Sequence, residues 1–165
     1  MNKLFCYILS MYLFPVTIVL RHRKENLKRC SLRGLERRDD MAFYTYPNDA
    51  LPTMHGYVML AVNAPPLTPD DADKGLFLLD ATWKYAEVME RQVPSLPMRS
   101  IPGKYTTAYP RRQTGCPDPS AGLASVEALF LAYYCMGRPT SGVLDDYYWA
   151  KEFLSVNGFS VDISY

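Results

Sequence analysis

The stretch Gly75-Leu76-Phe77-Leu78-Leu79-Asp80-Ala81-Thr82-Trp83 decides the fold. Its apolar run does not alternate with polar residues, so it predicts a strand buried on both faces, as in a parallel sheet. The run ends in a carboxylate, and Ala81-Thr82-Trp83 leads into a helix expected to reach about Arg91. Two further runs have the same character: Phe14-Pro15-Val16-Thr17-Ile18-Val19-Leu20 and Gly56-Tyr57-Val58-Met59-Leu60-Ala61-Val62. Strand, loop and helix in alternation predict an α/β protein with a parallel sheet. Ligands of open α/β sheets bind beyond the carboxyl ends of the strands, where Asp80 and Trp83 fall. Spacing alone favours a plainer reading, with Asp80 capping the next helix and Trp83 in the core.

Outward from these strands the chain is less regular. Residues 21–40 read as a basic loop or short helix, and residues 41–56 as irregular. Thr68 is a candidate N-cap with Pro69 first in its helix. A helix is expected from Leu123 to a stop at Gly137, and another from about Val143 to Val156. The Ser125–Glu127 pair opens the first of these, as an anion-receiving helix N-terminus or as plain capping. Tyr133, Tyr134, Tyr147, Tyr148 and Trp149 read as core and interface packing rather than as a base-stacking platform. Residues 94–121 are rich in proline and cations, with Tyr105 and Tyr109 interleaved, a composition that holds phosphates and stacks bases.

Length and composition set the outer limits. With 165 residues, 48% apolar and 21% charged, the chain forms one compact domain or two small lobes sharing a core. That excludes a disordered tail, a collagen-like fibre and a disulfide mini-scaffold. Thirteen prolines predict many fixed turns and few long helices. The net charge of +1 hides a split: residues 1–38 carry nine Lys/Arg and two Glu, and residues 39–165 carry nine Lys/Arg and fifteen Asp/Glu. A basic end on an acidic body suits a polyanion or an anionic membrane, although a solvated charged face is the commoner meaning.

Cys6, Cys30, Cys116 and Cys135 include no CxxC pair, and only His22 and His55 are present, which argues against zinc and against a Ser–His–Asp hydrolase. Four cysteines would make two disulfides in a secreted protein, but nothing else suggests secretion. Residues 4–20 match the short limit of a membrane span, with RHRK after them. Pro15 and the β-branched second half favour a buried strand instead. Met11 offers a second start, and residues 1–13 are expected to be extra or poorly ordered, followed by an α/β lobe over 14–95 and a mainly helical lobe over 96–165. GxGxxG, P-loop and HExxH motifs are absent from the sequence.

Several segments, in order, resemble the ribosomal RNA aminocarboxypropyltransferase family, relatives of the DTW-domain transferases in the SPOUT class. Asn26-Leu27-Lys28-Arg29-Cys30-Ser31-Leu32-Arg33-Gly34-Leu35 resembles the family's opening Asp-Pro-Lys-Lys-Cys-(Ser/Thr)-Gly-x-x-Leu. Leu67-Thr68-Pro69-Asp70-Asp71 resembles its Leu-Ser-Pro-x-Asp, and Gly75-Leu76 through Asp80-Ala81-Thr82-Trp83 its Gly-Leu…Asp-Cys-Ser-Trp. Leu123-Ala124-Ser125-Val126-Glu127-Ala128 resembles Leu-Ser-Thr-Ala-Glu-Ala, and Trp149 through Asn157 the Trp-Gly-x-x-Phe-Leu-x-x-Asn ending. The match spans about residues 16–157. It departs from the family at Asn26-Leu27, at Ala124, and at Arg99 to Arg112, which replaces an Ala-Ala-Asn-Pro-Val-Asn-Tyr-Gly segment.

The resemblance implies a cytoplasmic, SPOUT-like fold: a small parallel-sheet lobe and a helical lobe joined through a deep trefoil knot, an exception to the unknotted rule. It implies S-adenosylmethionine as donor of its 3-amino-3-carboxypropyl arm, no metal, and a uridine or pseudouridine in RNA as acceptor, in small-subunit ribosomal RNA or a pre-ribosomal particle. Asp80 is then the catalytic candidate. Ser31, Leu60, Val62, Trp83, Leu96, Leu123 and Ser125 are the cofactor-binding candidates. Arg29, Arg99, Lys104, Arg111 and Arg112 are the RNA-binding ones. A methyltransferase using the same donor, a non-catalytic RNA-binding assembly protein and a membrane-attached protein are the rival readings.

Overall fold

A computed structural model describes residues 14–110 and 122–161. Its centre is a five-stranded, all-parallel sheet: β1 (Thr17–His22), β2 (Met41–Tyr46), β3 (Tyr57–Leu60), β4 (Gly75–Asp80) and the short β5 (Met98–Arg99), in the order β2-β1-β4-β3-β5. Among the described residues it is joined by three α-helices, α1 (Trp83–Glu90), α2 (Ser125–Cys135) and α3 (Ala150–Val156), and by two 3-10 turns, Leu35–Arg37 and Pro69–Asp71.

The side-chain period of two sorts each strand between two cores. Val19, Val58, Leu76 and Leu78 face α2 and α3, where Val126, Leu129 and Phe153 meet them. Ile18, Leu20, Met59 and Phe77 face the other way and meet Met89 of α1. Apolar residues on both faces are what a parallel sheet with helices on each side requires.

The three strands expected from the apolar runs are β1, β3 and β4. Residues 41–46, read as irregular, form the edge strand β2, which pairs with β1 in register from Thr17↔Met41 to His22↔Tyr46. At the sheet edge Phe43 packs on the α2–α3 core and Tyr44 and Tyr46 on the α1 core, all three only half-buried, and the strand has fewer aliphatic residues than the central ones. The helix expected after Thr68 is a single 3-10 turn, Pro69–Asp71, because Asp71 is drawn to the Thr68 amide and to Arg99 of β5. The last helix begins at Ala150 rather than Val143. Before it the chain makes i→i−3 turns, with the Val143 amide on the Thr140 carbonyl and the Tyr147 amide on that of Leu144.

From β1 the chain passes to β2 on one side, and from its neighbour β4 it passes to β5 on the other. The point between β1 and β4 is therefore the topological switch point, where α/β sheets open a crevice.

Candidate active site

Parity and register together place two charges at that crevice. Arg21 and Asp80 end the runs of β1 and β4, lie on the α2–α3 face and are register partners. Arg21 Nε donates to Asp80 Oδ2 at 2.7 Å, its Nη1 to Glu36 Oε1 at 2.6 Å and its Nη2 to Cys30 Sγ at 3.4 Å. Cys30 in turn donates to Asp80 Oδ2 at 3.1 Å. The guanidinium also lies over the Phe43 ring, 4.8 Å from its centroid.

Burial works against the charge on Arg21, but Asp80 and Glu36 outweigh it and hold the guanidinium more firmly protonated than usual. Burial likewise opposes the charge on Glu36, which the Arg21 bond and the Gly34 amide nonetheless keep below the ordinary carboxylate range. Burial, then repulsion by Asp80, pushes the Cys30 thiol up to about 12, so it is a hydrogen-bond donor and not a nucleophile. Glu25, nearby in the same cleft, is raised by burial and by Asp80. Two carboxylates against one guanidinium, with Glu25 beside them, make this strand-end cluster net anionic.

Around it opens a cleft of about 2140 Å³, lined from four directions. The loop after β1 contributes Cys30 and Ser31, the end of β3 and the turn after it Leu60 and Val62, the end of β4 and the start of α1 Asp80 and Trp83, and the approach to α2 and its first residue Leu123 and Ser125. Leu60 and Leu123 are half-buried, whereas Val62 is 83% and Trp83 48% exposed. Trp83 is thus a cleft wall and not core. Asp80 is no cap either: the helix that follows has no side-chain cap, and Asp80 Oδ2 is taken by Arg21 and Cys30.

The N-terminus of α2 is capped from outside its own segment. Ala124 has no side-chain oxygen, so the Val126 amide donates instead to Ser31 Oγ at 3.2 Å. Glu127 reaches back to the Ala124 amide at 2.8 Å, completing the return half of the cap. Ser31 lines the cleft beside first-turn amides that have no intrahelical acceptor.

Glu127 does more than cap. Fully buried, it also accepts from Thr107 Oγ1 at 2.6 Å, the Ala108 amide at 2.8 Å and Tyr147 Oη at 2.8 Å. One carboxylate thereby ties α2, the loop ending at Tyr109 and the approach to α3 into a single wall.

The cationic candidates separate. Arg29 and Lys104 are exposed on the cleft rim. Arg99 also lines the cleft, but its Nε donates to the buried Asp71 at 3.0 Å and its Nη1 to the Met98 carbonyl at 2.9 Å, so it anchors β5. Arg111 and Arg112 lie outside the described residues. Leu96 is misplaced in the sequence reading. It packs on the α1 face of the sheet with Val93 and Met98 and lines a separate small pocket there, because residues 93–98 run under that face before entering β5. The sequence patterns did not point to Arg21, Glu36 or Glu25, and they gave Glu127 only its place at the start of α2, not its bonds to Thr107, Ala108 and Tyr147. Among the described residues no group of three or more His, Cys, Asp or Glu is arranged to hold a metal ion.

No protein-family model matches the chain, and no curated protein does. Among solved structures it is similar to the SAM-dependent rRNA:acp-transferase Tsr3 from Vulcanisaeta distributa, with a TM-score of 0.68 and 23% identity over 88% of this chain and 79% of that one. At that identity the likeness establishes a shared α/β fold.

Proposed function

We propose that the chain transfers the 3-amino-3-carboxypropyl group of S-adenosylmethionine to a uridine or pseudouridine in RNA, with ribosomal RNA as the substrate class. The observation that carries this reading is convergence. Cys30-Ser31, Asp80 to Trp83, Leu123 to Ser125, and Trp149 are far apart in the chain, belong to the segments resembling the aminocarboxypropyltransferases, and line one cleft at the switch point. The fold shared with an enzyme described as an rRNA:acp-transferase supports the same conclusion.

The residues fit the donor. S-adenosylmethionine supplies an electrophilic carbon on a sulfonium, with methylthioadenosine as the leaving group. Leu60, Val62 and Leu123 offer apolar contact for an adenosine. The anionic Arg21–Asp80–Glu36 cluster suits a positive sulfur, so Asp80 acts by charge. Ser31 and the first-turn amides of α2 suit a carboxylate. Trp83 walls off the methyl, so that position decides which activated carbon meets the nucleophile. The cleft exceeds the roughly 300–1,000 Å³ of a site for one small ligand, which leaves room for an acceptor nucleotide beside the donor.

Under this reading the chain is a cytoplasmic SPOUT-class enzyme of ribosome biogenesis with a trefoil knot, its lobes are residues 14–95 and 96–165, and its RNA is small-subunit ribosomal or pre-ribosomal. The test is the co-product released on incubation with S-adenosylmethionine and total RNA. Methylthioadenosine is expected, and S-adenosylhomocysteine would instead establish methyl transfer.

A further inference from the structure

Of the tyrosines and tryptophan near the carboxyl end, Tyr133 and Tyr147 are buried, Trp149 is half-buried and Tyr134 is exposed away from the cleft against Phe159, whereas Tyr148 on the cleft rim is 88% exposed. A single exposed aromatic needs no explanation. This one sits against a braced neighbour. Its ring meets Trp149 edge-on, with centroids 5.0 Å apart, and Trp149 is braced by Tyr109 at 5.2 Å and Tyr147 at 5.9 Å.

Cations line the same cleft on a loop tied to the same wall. Lys28, Arg29 and Arg33 are exposed on the rim. Tyr109 Oη donates to the Arg29 carbonyl at 3.0 Å, and Arg37 Nη2 to Asp146 Oδ2 at 2.7 Å. At Gly34, φ +95°, a Cβ would lie 2.0 Å from Asp146 Oδ2, so the two loops are seated backbone against side chain. Asp145, the exposed carboxylate next to them, keeps this part of the rim from being uniformly cationic. Charge alone would therefore hold a polyanion weakly here, and the aromatic ring adds what charge does not.

We propose that Tyr148 stacks an unpaired nucleotide of the RNA, with Lys28, Arg29 and Arg33 on its phosphates, and so sets a preference for single-stranded acceptors. Paired bases have no free face to offer such a ring, while unpaired ones stack on aromatics beside cationic side chains. The proposal rests on the RNA substrate inferred above but not on which carbon of the donor is transferred.

The test is fluorescence anisotropy with a labelled short oligouridine and with the same strand annealed to its complement. Tyr148→Ala should weaken single-strand binding about five-fold or more, the range for one lost base stack. Tyr148→Phe should restore it. The log K against log salt slope should stay unchanged, because the lost contact is not ionic. Duplex affinity and calorimetric affinity for S-adenosylmethionine should not move. Single-strand affinity within two-fold of the parent protein, or equal losses for single strand and duplex, would overturn the proposal. Tyr148-dependent binding without release of methylthioadenosine would instead remove the transfer reaction and leave this subsite standing.

Discussion

Arg21 determines what the strand-end carboxylate can do. With Asp80 Oδ2 held by a guanidinium and a thiol, the acid is fixed in place, and the thiol stays protonated. Cys30 yields a pH prediction. Its thiol binds its proton more tightly in the folded protein, at about 12, than in the unfolded chain, at 9.0. Its contribution to stability is therefore complete below 9.0 and is lost as pH rises from there towards about 12. At neutral pH Cys30 should resist iodoacetamide in the native protein and react after unfolding in guanidinium. Rapid native alkylation of Cys30, mapped by mass spectrometry, would show the thiol is not held as described.

Trp83 gives a second residue-scale prediction. Because it is 48% exposed, Trp83→Phe should cost less than about 1 kcal/mol of stability. It should still weaken S-adenosylmethionine binding and slow methylthioadenosine formation. A folded variant with unchanged affinity and turnover would remove Trp83 from the site. Asp80 and Trp83 were legible in the sequence because an apolar run ending in a carboxylate marks a strand end. Arg21 was not legible, since the first arginine after such a run reads as the start of the basic loop behind it. Only the β1–β4 register shows that it turns inward.

Among the elements, the central strands declared themselves through continuous apolar runs, and α1 and α2 through position and period. The edge strand β2 and the turns before α3 did not. The edge strand Met41–Tyr46 is aromatic rather than aliphatic and follows a charged turn, and the geometry of 143–149 is set by distant partners: Arg37 for Asp146, and Glu127 for Tyr147. The α2 cap is similar, because its acceptor, Ser31, lies far away in sequence and Ala124 looks like a missing cap. Glu127 carries the element-scale prediction. Glu127→Ala leaves the Ala108 and Ala124 amides and two hydroxyls without their acceptor, which should cost about 2–4 kcal/mol from the penalties of unsatisfied buried donors. Denaturant unfolding measures the loss, and hydrogen exchange should show the amides of 106–109 opening first. Wild-type stability in this variant would mean the wall does not depend on the carboxylate.

For the whole molecule, the class of sheet was readable and the strand order was not. Local patterns reveal strands but not which neighbour each one finds. That order matters for function, because it makes β1 and β4 adjacent, sends the chain from them in opposite directions, and opens the crevice where the separated segments meet. Under the proposed function this crevice presents the aminocarboxypropyl arm of S-adenosylmethionine, and not its methyl, to RNA. The most direct measurement is a paired incubation of the protein and total RNA with S-adenosylmethionine labelled either in the carboxyl carbon or in the methyl. RNA should take up the carboxyl label and not the methyl label. Methyl label in the RNA, or neither label, would contradict the proposed function.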